Sequence, residues 1–319
     1  MDLFKQIIKM KAIKMKHRLL IVAVLMLTVS INAQQDPQYT QYMYNMNIIN
    51  PAYAGSKDML SLNFLGRTQW VGIDGAPKTI TLGMHSPVGK NVGLGLSLIA
   101  DKYGPVTEQN VYGDFSYTLQ VSETAKLALG LKGGFTFFKA NLGQLQLVDN
   151  PDPLFINNNV NKIMPNIGLG VFYYTDRFYA GLSMPNMLKT LHFEKNGGQV
   201  SKASEVKHLF LTSGYVFELS STMKLKPSIM AKMVSGAPLS LDGSINILFN
   251  DKFEFGVSHR LNESISTVIN MRASNSLRIG YAYDHTLTTL GNFNSGTHEI
   301  FLLFNFDFVK DKIKSPRFF

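Results

Sequence analysis

From about residue 57 to about residue 308, apolar and polar residues alternate along the chain. In one run, the apolar residues Leu127, Leu129, Leu131, Phe135 and Phe137 alternate with Lys126, Lys132 and Thr136. A period of two places the two sets on opposite faces of a β-strand. The alternation therefore predicts an all-β chain whose strands each have one apolar and one polar face.

Turn-forming residues divide this region into predicted strands. They are 59–71, 77–87, 91–103, 107–121, 125–140, 164–174, 177–185, 207–219, 223–234, 238–250, 252–261, 264–273, 276–287 and 296–308. Most are about long enough to cross an outer membrane at a tilt, and their number, 14, is even. Two architectures compete: a closed barrel with its apolar face toward lipid, and a soluble sandwich or propeller.

The lengths of the predicted connections favour the barrel. Every second connection is short and would lie at one end of the barrel. The three longest gaps are among the remaining connections, at the opposite end; they are 141–163, 186–206 and 288–295. Outer-membrane barrels have short periplasmic turns and longer extracellular loops. The chain also has 22 Phe and 13 Tyr, with no apolar helix in the mature chain to cover them. We therefore predict an integral outer-membrane antiparallel β-barrel of about 14 strands.

The N-terminus has the pattern of an export signal. Six basic residues precede an apolar run at 19–31, which ends at Asn32, Ala33 and Gln34. This run of 13 residues is too short to span a bilayer, which takes about 20 apolar residues. Cleavage after Ala33 would leave 25 basic against 21 acidic residues, so most of the formal charge of +9 belongs to the signal and implies no nucleic-acid partner. Met15 is an alternative start.

We predict four regions: a signal peptide at 1–33, an N-terminal segment at 34–57 in the periplasm or the lumen, a transmembrane barrel at 58–308 and a basic tail at 309–319. The polar strand faces would line the lumen with a mild positive bias. The basic candidates are Lys132, Lys224, Lys226, Lys232, Arg260, Arg272 and Arg278. The acidic candidates are Asp114, Asp242, Glu254 and Asp284.

Residues 34–56 interrupt the alternation, because tyrosines stand there among Gln and Asn, with two prolines. Tyrosine rings and amides suit a polar lumen, where the rings pack and the hydroxyls find partners. We expect a lumen plug or a partner-docking segment; an extension that merely packs on the barrel is the alternative. The candidate residues are Tyr39, Tyr42, Tyr44, Asn45, Asn50, Pro51, Tyr53 and Gly55.

The sequence shows no pattern typical of catalysis or of a cofactor or metal site. It has no Cys, and its seven His have no metal-ligand spacing. The Gly-Leu-Gly runs at 93–95 and 168–170 lie inside alternating strands, so we interpret them as strand glycines that either ease barrel curvature or make room beside a plug. His85 and Ser86 are adjacent in a strand and cannot form a dyad. We expect no enzyme and no cofactor.

Two local features have open interpretations. Asp149 to Asp152 and the nearby asparagines could offer oxygens to Ca²⁺, although a solvated loop is the simpler interpretation. Trp70, the only Trp, stands beside a glycine-rich turn and is either an interface anchor or a partner contact.

Several motifs resemble the PorP/SprF family of type IX secretion system outer-membrane proteins. They are QDPQY at 35–39, YMYN at 42–45, NPAYAG at 50–55, Arg67 with Gln69-Trp70, GAP at 75–77, GLGLSLIADKYGP at 93–105 and SPR at 315–317. The resemblance covers the whole mature chain.

The resemblance implies an outer-membrane barrel of a Bacteroidota bacterium that acts with the type IX secretion and gliding machinery. PorP-like members belong to the core apparatus, and SprF-like members deliver or hold secreted adhesins at the surface. The implied partners are other type IX secretion proteins, a secreted adhesin or its C-terminal domain, and outer-membrane lipid. A diffusion pore or uptake channel with a polar lumen remains the alternative function, and a barrel enzyme acting on lipid is a third.

Overall fold

A computed structural model describes residues 39–141, 159–188 and 207–306. Its strands are β1 (Leu60–Thr68), β2 (Lys78–Pro87), β3 (Val92–Tyr103), β4 (Val106–Gln120), β5 (Lys126–Asn141), β6 (Asn159–Tyr174), β7 (Phe178–Met184), β8 (His208–Tyr215), β9 (Phe217–Glu218), β10 (Met223–Val234), β11 (Ser240–Phe249), β12 (Phe253–Arg260), β13 (Ser264–Arg272), β14 (Leu277–Thr286) and β15 (Thr297–Phe306). Within these ranges, helical structure is limited to α1 (Met46–Ile49) and 3-10 turns at Tyr42–Tyr44, Pro51–Tyr53 and Thr289–Phe293.

The strands form one antiparallel sheet that closes on itself. Neighbours in the chain pair with each other, and the first strand, β1, pairs with the last, β15, from Leu60↔Phe306 to Thr68↔His298. Both β8 and β9 pair with β10, so they form one strand interrupted at Val216. The sheet thus has the 14 positions that the sequence predicts, and the predicted barrel is confirmed. Closure satisfies every strand edge, which is what permits a sheet to lie in lipid.

Most strand bounds agree with the prediction to within two residues, and three strands differ by more than that or by a break. The predicted strand at 164–174 begins earlier, because β5 and β6 stay in register as far as Asn141↔Asn159. The predicted strand at 59–71 ends at Thr68, since Trp70 has a left-handed backbone with φ 45°. The predicted strand at 207–219 is interrupted at Val216, whose N–H donates to the Arg177 carbonyl.

The two faces of each strand have different chemistry. In β12, for example, Phe253, Phe255 and Val257 are exposed on the outside, whereas Glu254 and Arg260 are buried inside. Large apolar side chains point outward around the barrel, so the outer surface matches lipid hydrocarbon. Among the described residues, no helix is long and apolar enough to cross a membrane.

The barrel ends are distinguished by their connections. The turns 88–91, 121–125, 175–177, 219–222, 250–252 and 273–276 share one end, which we call the inner end. The longest connections, 69–77, 142–158, 185–207 and 287–296, share the opposite end, which we call the outer end. Because short turns face the periplasm in outer-membrane barrels, the outer end is extracellular.

Candidate functional site

Residues 39–57 lie inside the barrel, and we call them the lumen segment. Most of their side chains are buried against the inward faces of the strands. Thr40 lies near the outer end, beside Arg67 and Glu299, and Gly55 lies near the inner end, beside Pro87. The segment therefore descends through the lumen before the chain enters β1.

An ion-pair cluster holds the outer part of the lumen segment. Arg67 of β1 lies 2.8 Å from Asp284 of β14 and 2.9 Å from Glu299 of β15, and all three side chains are buried. Thr40 donates its hydroxyl to Asp284 at 2.7 Å and its N–H to Glu299 at 3.1 Å. The N–H of Gln41 donates to the other Glu299 oxygen at 2.8 Å. One cation faces two carboxylates here, and hydrogen bonds from the segment stabilise the remaining negative charge.

Tyr44 connects the segment to the adjoining part of the wall, strands β12 to β15. Its ring stacks on Phe301 with centroids 4.5 Å apart, and its hydroxyl donates to Glu254. Asn270 donates to the same hydroxyl at 3.0 Å, and Arg278 pairs with Glu254 at 2.7 Å. The Tyr44 hydroxyl therefore joins the segment to β12 through Glu254 and to β13 through Asn270.

Asparagines on the middle of the segment bind polar wall residues. Asn45 donates to Thr81 at 2.9 Å, and Asn47 accepts from Asn63 at 3.0 Å. Lys132 of β5 donates to the Asn47 carbonyl at 3.4 Å. The predicted lumen thus supplies donors and acceptors for the backbone and side chains of a buried polar chain.

The NPAYAG motif forms a capped 3-10 turn on the wall. Asn50 accepts from the Ala52 N–H at 3.0 Å, with Pro51 as the first residue of the turn. The Asn50 amide also donates to the Val171 carbonyl of β6 at 3.1 Å. Asn50 therefore fixes both the start of the turn and its position on the sheet.

Wall glycines make room for this turn. A Cβ at Gly93 of β3 would overlap the Ala54 carbonyl, and one at Gly130 of β5 would overlap the backbone of Ala52. A Cβ at Gly170 of β6 would overlap the Asn50 side chain. Of the two interpretations given for the glycines at 93 and 170, this geometry agrees with the one in which they make room. Gly93 and Gly130 let the backbone of the wall and the backbone of the lumen segment approach each other directly.

Rings surround the end of the motif. Tyr53 meets His85 and Phe172 edge-on, each with centroids 5.3 Å apart. The Gly55 N–H donates to His85 Nδ1 at 3.3 Å, and Gly55 has φ 76°, a conformation that favours glycine. His85 is buried and Ser86 faces the other side, so these neighbours form no dyad.

The two remaining tyrosines are also buried. Tyr42 is 3% exposed, and Tyr39 is 5% exposed. Tyr39, Ile48, Ile49 and Phe210 border a small cavity of about 40 Å³ beside the segment.

All seven predicted basic lumen residues lie on inward-facing positions. Lys132, Lys226, Lys232, Arg260 and Arg278 are buried, whereas Lys224 and Arg272 are partly exposed near the inner end. The ion pairs join Lys132 to Asp114 at 2.6 Å, Arg260 to Asp242 at 2.8 Å, Arg278 to Glu254 at 2.7 Å and Lys224 to Asp251 at 2.6 Å. Lys226 lies over the Tyr44 ring, 5.6 Å from its centroid.

The predicted lumen charges omit Arg67 and Glu299, which bind the segment directly. Both follow the same inward alternation, and Glu299 shares its face with Phe301 and Leu303. Both lie within predicted strands, 59–71 and 296–308, so the same alternation identifies them without any change of bounds. Spacing cannot identify Asn47 or Gly130, because their role depends on where the segment lies in the lumen.

Trp70 lies outside the lumen segment, in the β1–β2 loop. The backbone N–H of Trp70 donates to the Thr297 hydroxyl at 3.1 Å, and Trp70 borders a cavity of about 350 Å³ at the outer end. The predicted signal at 1–33, the tail at 309–319 and the loop oxygens at 149–152 lie outside the described residues. Within the described ranges, no group of His, Asp and Glu is arranged to hold a metal ion.

The model of one protein family, described as "Type IX secretion system membrane protein PorP/SprF", matches residues 31–304. No curated protein matches the chain. Among solved structures, the CymD monoaromatic hydrocarbon channel is 13% identical with a TM-score of 0.50, over 84% of this chain and 93% of that chain.

Two further structures are similar at lower scores. Acinetobacter baumannii Omp33 is 10% identical with a TM-score of 0.47, over 79% of this chain and 100% of that chain. A Pseudomonas aeruginosa FadL homologue is 11% identical with a TM-score of 0.47, over 87% and 96%. At these identities the likeness concerns the fold alone.

Proposed function

The chain belongs to the PorP/SprF family of type IX secretion system membrane proteins, and from that premise we propose that it binds protein partners in type IX secretion and gliding. As an outer-membrane barrel, it would deliver or anchor a secreted adhesin or other cargo at the cell surface. Its partners would be the adhesin or its C-terminal domain and other components of the machinery, with outer-membrane lipid around the barrel.

The lumen segment is the observation that carries this proposal. It is held by the Arg67 cluster at one end and by close glycine contacts at Gly93 and Gly130 near the other. Because the segment is fixed at both ends inside the lumen, it supports a barrel that binds partners at its two ends rather than one that conducts solutes. We propose that segment 39–57 plugs the lumen, that the outer loops meet the cargo, and that the basic tail at 309–319 meets periplasmic partners.

A gene deletion with plasmid complementation tests the proposal. Cell-surface proteins are compared by mass spectrometry between the wild type, the deletion strain and the complemented strain. Loss of one adhesin supports a SprF-like role, and loss of all type IX cargo supports a PorP-like role. An unchanged set of surface proteins contradicts the proposal.

A diffusion pore or uptake channel is the second candidate. The observation that favours it is the likeness of the fold to the CymD monoaromatic hydrocarbon channel. The two candidates differ in conductance, since a pore needs a continuous water path past residues 39–57. We propose no catalytic role, because no nucleophile and base pattern appears in the sequence.

A further inference from the structure

The outward face of the barrel has an asymmetric charge distribution. In the strands that the structure describes, the Asp, Glu, Lys or Arg residues at outward-facing positions are Lys78, Lys102 and Lys139. No acidic residue occupies an outward-facing position in those strands. A charge on the lipid-facing surface is costly unless it reaches the headgroups, so this group needs a physical explanation.

The three lysines lie in one row across neighbouring strands. Lys78 of β2 is directly opposite Lys102 of β3, which is opposite Thr107 of β4, which is opposite Lys139 of β5. With strands about 4.8 Å apart, the row covers roughly 15 Å of the barrel surface. It lies at the outer ends of the strands, at the level of the outer-leaflet headgroups.

The cavity that Lys78 and Lys102 border has one carboxylate in its lining, Asp74 of the β1–β2 loop, but no ion pair joins it to the row. None of the three lysines forms an ion pair with a described residue, although ion pairs satisfy Lys132 and Lys224. Like charges directly opposite each other in an antiparallel pair are unfavourable. Lys78 and Lys102 are such a pair, so an external anion would remove a repulsion that the fold leaves in place.

A cavity adjoins the row. The cavity of about 350 Å³ beneath the β1–β2 loop is bordered by Lys78 and Lys102, together with Asp74 and Trp70. Trp is suited to the boundary between lipid and water. Neutral polar partners continue the row, since Thr68 pairs with Lys78 and Asn161 pairs with Lys139. The surface thus combines three cations, hydroxyl and amide groups, and a recess next to hydrocarbon.

We propose that Lys78, Lys102 and Lys139 bind the phosphorylated headgroup of a lipid of the outer leaflet. The ammonium groups would pair with the phosphates, and the acyl chains would lie along the apolar surface below, which includes Ile80 and Leu82. Clusters of basic residues at a membrane surface bind anionic headgroups in this way. The bound lipid would also orient the outer loops above it.

The test measures lipid binding to the purified full chain in detergent by native mass spectrometry. The probes are diphosphorylated lipid A, the same lipid with both phosphates removed, and inorganic phosphate. We compare the wild type with a variant that carries K78Q, K102Q and K139Q. The matched control is Lys90→Gln, in the turn at the inner end of the same β2–β3 hairpin.

We expect the wild type and K90Q to bind the diphosphorylated lipid equally, and the triple variant to bind it about 100-fold more weakly. A second triple variant with Arg at all three positions should retain binding. If the Gln triple does not fold, each single Gln variant should bind about fivefold more weakly. A shift of the heat-modifiable gel band checks folding.

Three results would overturn the proposal. One is equal affinity of the wild type for the phosphorylated and dephosphorylated lipids. Another is saturation by inorganic phosphate at the concentration at which the lipid saturates, which would indicate a free-anion site. The third is unchanged binding of the diphosphorylated lipid by the folded Gln triple, which would show that the three lysines do not hold the headgroup.

Discussion

Gly130 of β5 lies directly against the backbone of Ala52, so closely that a Cβ at Gly130 would overlap the Ala52 nitrogen. Gly93 makes the same kind of approach to Ala54. These contacts join a strand glycine in the wall to the most distinctive motif of the lumen segment. A larger side chain at either glycine would therefore displace the lumen segment from its position on the wall.

Gly130→Leu should displace the lumen segment without opening the barrel, because the new side chain needs the space that Ala52 occupies. Gly133→Leu is the matched control in the same strand, since a Cβ there meets nothing within 4 Å. The chain has no Cys, so a Ser56→Cys substitution provides a single reporter. Ser56 is 2% exposed in the native protein.

A water-soluble maleimide should label Cys at position 56 about tenfold faster in the Gly130→Leu background, as expected for a loss of about 1.4 kcal/mol in local closing free energy. Labelling in the Gly133→Leu background should match that of the reporter alone. Equal rates in the two backgrounds would show that Gly130 does not seat the segment.

Arg67→Met should destabilise the protein strongly, because it leaves the buried carboxylates of Asp284 and Glu299 without a cation. The expected loss in the free energy of unfolding is about 3–5 kcal/mol. Arg177→Met is the control, since Arg177 pairs with Glu218 in an exposed position and should cost about 1 kcal/mol or less. Urea unfolding in lipid vesicles measures both, and similar losses would contradict a structural role for the Arg67 cluster.

Tyr44→Phe should separate the two contributions of Tyr44. The Phe ring keeps the stacking on Phe301 and loses the hydrogen bonds to Glu254 and Asn270, at a cost of about 1–3 kcal/mol. Tyr44→Ala also loses the packing and should cost about 3–5 kcal/mol. In urea unfolding, the wild type should therefore be the most stable, Tyr44→Phe less stable and Tyr44→Ala the least stable. Equal stability of Tyr44→Phe and the wild type would show that the hydroxyl contributes nothing.

Asn50→Asp and Asn50→Ala should differ in the same assay. Asp keeps the acceptor for the Ala52 N–H and loses the donor to the Val171 carbonyl, whereas Ala loses both. Loss of the cap costs about 0.5–2 kcal/mol, so the Ala variant should be the less stable. The reverse order would mean that a buried carboxylate costs more at this position than the cap contributes.

The sequence predicts the barrel well because the alternation depends only on which face meets lipid. The inward direction of Lys132, Arg260 and Arg278 follows from period two, and the 14 positions and the short inner turns follow from the turn-forming residues between the alternating runs. The errors occur where local backbone geometry decides, as at Trp70 with its left-handed conformation and at the break at Val216.

The path of the lumen segment is less predictable. Its tyrosines and asparagines indicate a polar environment, but they do not determine that Thr40 meets Glu299 or that Asn47 meets Asn63. Those contacts link residues far apart in the chain and depend on barrel closure. Glycines such as Gly130 show no pattern of their own, because their function is to leave space for another part of the chain.

The central claim is that residues 39–57 occupy the lumen and close it. Single-channel conductance in planar bilayers tests this claim most directly. The full protein is compared with a variant that lacks residues 39–57, whose barrel fold is checked by heat-modifiable gel migration. We predict no steady open level for the full protein and a steady open level for the deletion variant. A large, steady conductance of the full protein would contradict the plug and favour the pore.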